Sequence, residues 1–312
     1  METDDEEEKA FSDFLSSYSA YKETMVIDSL REEEYSHLED KNQVCLDYTG
    51  VGLFSNSQKR HSSSVIGLSF ISLNLATHAM YPDDGGIESA FRKRILQYLN
   101  LDEDDYYLVF TANSFSAFKL LGESYPFHES PNLLLAYDHR CDDIDALREC
   151  AAAKSGIINS VSLTFPQFKI DTHDLHKKLE SGRRKANANN HKMSSKSSTD
   201  ANTNKGLLAY PYSSRVTGCR NSSRWIQKAQ TDGWHVLLDV TNMDAKMLSS
   251  LGLSLFLPDF VICSFYNVFG QDPAGMGCLA IKKSVLRTLG DSSRARAIGM
   301  VKIVKKEGLG YC

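Results

Sequence analysis

No Cys-x-x-Cys pair occurs in the chain, and its seven cysteines (Cys45, Cys141, Cys150, Cys219, Cys263, Cys278 and Cys312) are odd in number. That usage offers neither a zinc site nor a closed disulfide framework, and it predicts a reduced, cytoplasmic setting. Positive charge is also short. With 35 Lys and Arg against 40 Asp and Glu the net charge is −5, which argues against a general nucleic-acid binder. A long apolar run is missing too: the longest, Val65–Tyr81, is broken by Ser69, Ser72, Asn74, Thr77 and His78, so no membrane span is expected. The opening METDDEEEK is acidic, the reverse of a secretory n-region. What remains is 312 residues with 42% hydrophobic and 24% charged content, a soluble globular composition sufficient for one large domain or two small ones.

Taken in order, residues 1–29 read as an acidic, partly disordered segment, although Phe11–Leu38 carries helical spacing. Val44–Leu46 reads as a strand entering a Gly turn at Asp47–Gly52. Ile87–Leu99 is an amphipathic helix whose stripe is Ile87, Phe91, Ile95 and Leu99, with Arg92, Lys93 and Arg94 on the solvated face. Strand Tyr107–Phe110 runs through a polar turn at Thr111–Ser114 into a helix. That arrangement aims backbone N–H groups and a positive dipole end at an anion. Further strands (Leu133–Ala136, Ile157–Leu163, Leu207–Tyr210, His235–Asp239) alternate with helices at Asp143–Ala153, at Asp171–Leu179 and through Gln230. Residues 181–206 are nearly devoid of apolar side chains and read as a flexible basic insertion. The alternation predicts an α/β fold with a largely parallel sheet and helices on both faces.

The stretch Phe260–Lys283, FVICSFYNVFGQDPAGMGCLAIKK, reads as two apolar strands around an aromatic corner and a Gly/Pro turn. It resembles the segment S-F-Y-K-x-F-G-x-P-x-G-x-G of the molybdenum cofactor sulfurase family. That family lies within the class V aminotransferase (cysteine desulfurase-like) group. CLDYTGVGLFS similarly resembles the family's opening strand and turn, and the shared motif order covers roughly Leu30 to Ser284. The resemblance implies a three-layer α/β/α large domain of the fold-type I pyridoxal-phosphate transferases over 30–290. A basic tail follows at 291–312, and the family's smaller C-terminal domain would lie beyond it. It also implies pyridoxal phosphate as the cofactor and a homodimer as the partner.

Residue by residue, the resemblance places Thr111 and Ser114 at the cofactor phosphate, His139 on the pyridine ring and Asp239 at the ring nitrogen. Asn242 falls where relatives carry a Gln or His. Four positions depart from the pattern. Asn113 and Phe115 stand in the phosphate turn for Gly and Thr, and Arg215 stands for the Asn that meets the cofactor hydroxyl. The departure that matters most is Asn267, at the position of the lysine that holds the cofactor covalently. An amide nitrogen is not nucleophilic, and loss of the lysine also removes an acid/base group worth ~10²–10⁴-fold in rate. Lys282 and Lys283 lie beyond the following strand. The expected function is therefore a sulfurase-like protein without desulfurase catalysis. Against it stand an active sulfurtransferase or desulfurase using another lysine, suggested by the retained His139 and Asp239, and an interaction module acting through the basic insertion.

Overall fold

The computed structural model describes residues 2–39, 55–57, 60, 66–71, 75, 78, 86–190, 205–265, 276–290, 294–295 and 300–305. The expected strand Val44–Leu46 and its turn lie outside these residues, as does the turn 266–275 that contains Asn267. Helices α1 (Glu2–Ser17), α2 (Val26–Glu34) and α3 (Ser36–Glu39) come first. Strand β1 (Ile66–Ile71) precedes α4 (Ile87–Tyr98), β2 (Tyr106–Thr111), α5 (Ser114–Ser124), β3 (Asn132–Leu135), α6 (Asp142–Ala153) and β4 (Ile157–Ser160). A two-stranded ribbon, β5 (Leu163–Thr164) and β6 (Lys169–Ile170), leads into α7 (Thr172–Asn190). The chain then forms β7 (Gly206–Pro211), α8 (Arg224–Thr231), β8 (His235–Asp239), α9 (Ala245–Ser249), β9 (Phe260–Ser264), β10 (Gly277–Lys282) and β11 (Met300–Lys305).

Seven strands form the central sheet in the order β2-β10-β9-β8-β7-β3-β4. From β9 through β4 the neighbours are parallel, and β10 runs antiparallel to both β9 and β2. Only β10 opposes the common direction, as expected for a hairpin partner of β9. Strands β2, β7 and β9 are buried along their whole length, which is why they read as continuous apolar runs. Because side chains alternate along a strand, Leu207 and Ala209 join Phe118, Leu121 and Leu147 of α5 and α6 in one layer. Leu208 and Tyr210 join Leu96, Leu175 and Ile226 of α4, α7 and α8 in the other. The three-layer α/β/α architecture is the one expected.

Specific joints fix the layers. Lys154, at the end of α6, donates to the carbonyls of Gly122 (3.1 Å), Glu123 (2.5 Å) and Tyr125 (2.9 Å), setting a cation on the negative end of α5. Gly206 opens β7 so close to β3 that a Cβ there would lie 2.1 Å from the carbonyl oxygen of Asn132. The Asn132 amide meanwhile donates to Lys205 O at 2.7 Å, across the same seam.

Four expectations are corrected. Arg92 is not solvated but buried, because Glu88 one turn earlier supplies a countercharge at 2.6 Å. Its Nε also donates to Leu108 O at 3.0 Å. The 291–312 tail contains β11, which pairs with β1 and buries Met300, Val301 and Ile303. Glu88 anchors that strand by accepting the Ile303 N–H at 3.1 Å. The basic insertion is helical over its first part, since α7 continues to Asn190. Its Lys, Arg and Ala are good helix formers, so the helix already under way propagates into it. The acidic start is helical from Glu2, with Phe11, Phe14, Tyr18 and Tyr21 exposed rather than buried along their stripe. Among the described residues no helix is long and apolar enough to cross a membrane.

Removing Glu88 strands a buried guanidinium and a strand N–H, so Glu88→Ala is expected to cost about 3–5 kcal/mol in denaturant unfolding. Replacing both Glu88 and Arg92 by apolar residues should recover much of that loss. A second expectation concerns acid. Burial pushes the His235 imidazole below its usual pKa, against the pull of Asp259, while its Nδ1 meets the Tyr125 hydroxyl at 3.2 Å. Burial lowers His78 as well, helped by Arg92 and Lys302. An unfolded chain takes up these protons near pH ~6.5 and the folded chain only below it. Stability should thus be complete above that pH and decline as pH falls through it. A melting series across this range would show the decline, shallower in His235→Asn, and a Tm rising with acid would contradict it.

Candidate functional site

The carboxyl ends of β3, β7 and β8 meet at one edge of the sheet, the edge at which open α/β sheets present their polar chemistry. Asp239, the last residue of β8, is held there on both oxygens. Oδ2 accepts from the Tyr137 hydroxyl at 3.1 Å, and Oδ1 accepts from Thr241 N at 2.9 Å and Thr241 Oγ1 at 2.7 Å. The Arg215 guanidinium reaches Thr241 Oγ1 at 3.3 Å and so lies one hydroxyl away from the carboxylate. Burial, and next the Asp239 charge, push the Tyr137 phenol well above its usual pKa, so it remains a neutral donor.

A second set of bonds runs alongside. Asp138 accepts from the Ser214 hydroxyl on one oxygen and holds His139 Nδ1 at 2.9 Å on the other. Ser214 Oγ in turn caps its own turn, accepting Val216 N at 3.1 Å and Thr217 N at 2.8 Å. Asn242 makes a long contact, 3.5 Å, from its amide to Ser214 O. His139 meets the Tyr137 ring edge-on, with centroids 6.1 Å apart. His139, Asp239 and Asn242 are therefore brought to one edge, with Tyr137 between the histidine and Asp239.

The strand–turn–helix at Thr111–Ser114 forms as expected, but its polar groups are spent internally. Thr111 is fully buried and donates its hydroxyl to Asn113 O at 2.8 Å. The hydroxyl that the resemblance places at the cofactor phosphate is thus directed inward in this structure. Asn113 is the N-cap of α5, and its Oδ1 takes the Ser116 N–H at 2.8 Å. Asp143, in the first turn of α6, stands near Ser114. Burial raises the Asp143 pKa, the Ser114 hydroxyl opposes that, and the Asp239 charge adds to it. Gly277 of β10 closes the turn from the other side, where a Cβ would sit 2.9 Å from the Asn113 carbonyl. Phe115 projects from the first turn of α5, 37% exposed.

Pyridoxal phosphate fits one end of this arrangement and not the other. Asp239 stands at the strand end where a ring nitrogen would need it, and three hydrogen bonds leave its carboxylate one acceptor position. At the phosphate end, Asn113 takes the Ser116 N–H and the Asp143 carboxyl stands beside Ser114. A second anion there would meet repulsion rather than a cradle. Tyr137, Asp143, Ser214 and Thr241 were not singled out from sequence. Only Tyr137, alternating with His139 at a strand end, left a readable trace.

No family model matches the chain. It is 25% identical to the molybdenum cofactor sulfurase of Solanum lycopersicum, over 93% of this chain and 36% of that protein. With molybdenum cofactor sulfurase 1 of Aedes aegypti it shares 27% identity over 88% of this chain and 31% of that protein. The chain thus spans about a third of the length of the curated relatives it matches. Among solved structures, the apo cysteine desulfurase of Thermococcus onnurineus NA1 aligns with a TM-score of 0.57 at 12% identity, over 84% of this chain and 58% of that one. Motif order, relatives and fold agree: the chain is molybdenum cofactor sulfurase-like in sequence over most of its length and shares the fold of a cysteine desulfurase.

Proposed function

We propose that the chain is a sulfurase-like binding or regulatory module, set in the cytoplasm, that does not release sulfur from a substrate. The observation that carries this reading is Asn267 at the position of the covalent lysine. Pyridoxal phosphate, when bound in this fold, supplies the electron sink that the family's chemistry needs. Covalent attachment needs an amine that can be neutral at working pH, and an amide cannot replace it. The site supports the same reading from its other side. Asp143 and Asn113 fill the anion end, and Arg215 stands over the Thr241–Asp239 pair. What the residues retain is orientation: Tyr137 and Thr241 hold Asp239 in place, and Asp138 holds the His139 ring. Weak, non-covalent seating of a pyridine ring against Asp239 is compatible with that.

The direct test is to incubate purified chain with pyridoxal phosphate, desalt it, reduce it with borohydride and map the products, with L-cysteine turnover assayed in parallel. The expected result is no covalent adduct and no sulfide. An adduct on a mapped lysine, or sustained sulfide release, would refute the reading. The role given to Asp143 has its own test. Asp143→Asn should strengthen inorganic phosphate binding about tenfold, because it removes a like charge beside the start of α5. Equal phosphate binding by both proteins in calorimetry would show that Asp143 does not guard that end.

A further inference from the structure

Helices α1 and α2, joined by a 3₁₀ turn at Ser19–Met25, form an N-terminal arm whose large apolar side chains face solvent. Phe11, Phe14, Tyr18, Tyr21 and Met25 recur at alternating steps of three and four residues, the spacing of a seam that packs on another surface. The four rings already touch one another. Phe14 lies 5.0 Å from Tyr18 and 5.1 Å from Tyr21 between centroids, and Phe11 lies 6.5 Å from Tyr21. Each ring nevertheless stays at least 39% exposed. α2 extends the patch with Val26, Ile27 and Leu30, all more than half exposed. Together these side chains offer on the order of 800 Å² of apolar surface, one partner's share of a standard interface and more than a monomer ordinarily leaves open. The base of the arm is fixed, since Ser57 N donates to Glu34 Oε2 at 2.7 Å and Asn56 Nδ2 to Glu33 O at 3.1 Å.

Charge indicates what covers this patch. Residues 2–39 hold 13 Asp and Glu against 3 Lys and Arg, a net charge of −10, so residues 40–312 carry +5. Two arms facing each other would set like charges together, whereas the body of a second copy has the opposite sign. That body also presents an aromatic seat. Phe165, 83% exposed, meets Phe168 edge-on at 5.8 Å where β5 turns into β6. The ribbon leads directly into α7, and residues 163–190 hold 6 Lys and Arg against 3 Asp and Glu. Within one copy neither aromatic surface covers the other, since both remain exposed. We propose that the arm docks on a second copy of this chain, its aromatic cluster against the Phe165–Phe168 tip and its acidic residues beside the basic α7. The exchange is reciprocal, so the pair closes with twofold symmetry and leaves neither surface free. This assembly rests on exposure and charge and does not depend on whether the Asp239 network retains any catalysis.

The test follows the full chain by sedimentation velocity over a range of protein concentrations. A reversible dimer is expected, weakened at least ~threefold between low salt and ~0.5 M salt as the charges are screened. Phe14→Ser with Tyr18→Ser, and separately Phe165→Ser with Phe168→Ser, should each weaken dimerisation at least ~tenfold. All four side chains are exposed, so both double variants should keep the circular dichroism spectrum of the unaltered chain. Mixing the two variants should restore association, because their heterodimer contains one arm and one tip that are both intact. That recovery separates a reciprocal contact from a merely structural effect of either pair of substitutions. A chain that stays monomeric across the range, a dimer that either double variant leaves intact, or a mixture that associates no better than its components would overturn the proposal.

Discussion

Strands β2, β7 and β9 are apolar on both faces, and helices cover each face of the sheet that contains them. Such a sheet has no place for a polar side chain along its length, since an unpaired buried polar group costs more than its hydrogen bond returns. Polar chemistry is therefore displaced to the strand ends. At the carboxyl edge Asp239 emerges from β8, the Tyr137–His139 run from β3, and Ser214 with Arg215 just beyond β7. The same constraint explains why the site is a network of short links rather than an open bowl. Each group that surfaces there lies beside a packed core and must find a partner nearby.

The terminal strand follows related logic. Among the described residues β11 pairs with β1 alone and lies outside the central sheet, yet its inner side is fixed by Glu88, whose carboxylate bridges Arg92 and the Ile303 N–H. One buried ion pair thus connects α4, β2 and β11. This is a polar device of the kind that gives little net stability but penalises misassembly, because either charge alone in that position would be costly.

Much of this was legible from residue order. Strands β2, β3, β7, β8 and β9 announced themselves as apolar runs, and HVLLD delivered its carboxylate at a strand end as read, whereas the single strand read at Ile157–Leu163 is divided between β4 and β5. Other features were not legible, for identifiable reasons. Arg92 looked solvated because its burial depends on a strand two hundred residues later in the chain, and helical periodicity contains no such information. β11 was read as a tail because Lys302 and Lys305 interrupt its short apolar run. Thr111 looked like a ligand because its type survived, but its hydroxyl turns inward to Asn113 O. Residue type records which chemistry is available, while its direction is set by packing.

The departures from the family pattern are physically coupled rather than independent. A carboxylate at a strand end and a helix N-terminus are an acceptor and a donor that call for opposite partners. If a bound cofactor no longer supplies a ring N–H to one and a phosphate to the other, the protein must supply both or leave charged groups unsatisfied beside a dry core. Here the acceptor is met by Tyr137 and Thr241, with Arg215 one hydroxyl behind. The helix start is met by the Asn113 cap and by Asp143 beside Ser114. Arg215 and Asn113 are two of the positions that differ from the motifs the chain resembles, and each makes a contact within this network, Arg215 to Thr241 and Asn113 to the Ser116 N–H. Under the proposed function, Asn267 at the position the resemblance gives to the covalent lysine belongs with them. Side chains that complete a pocket's own hydrogen bonds stabilise it without a ligand, and each such completion makes phosphate binding there less favourable.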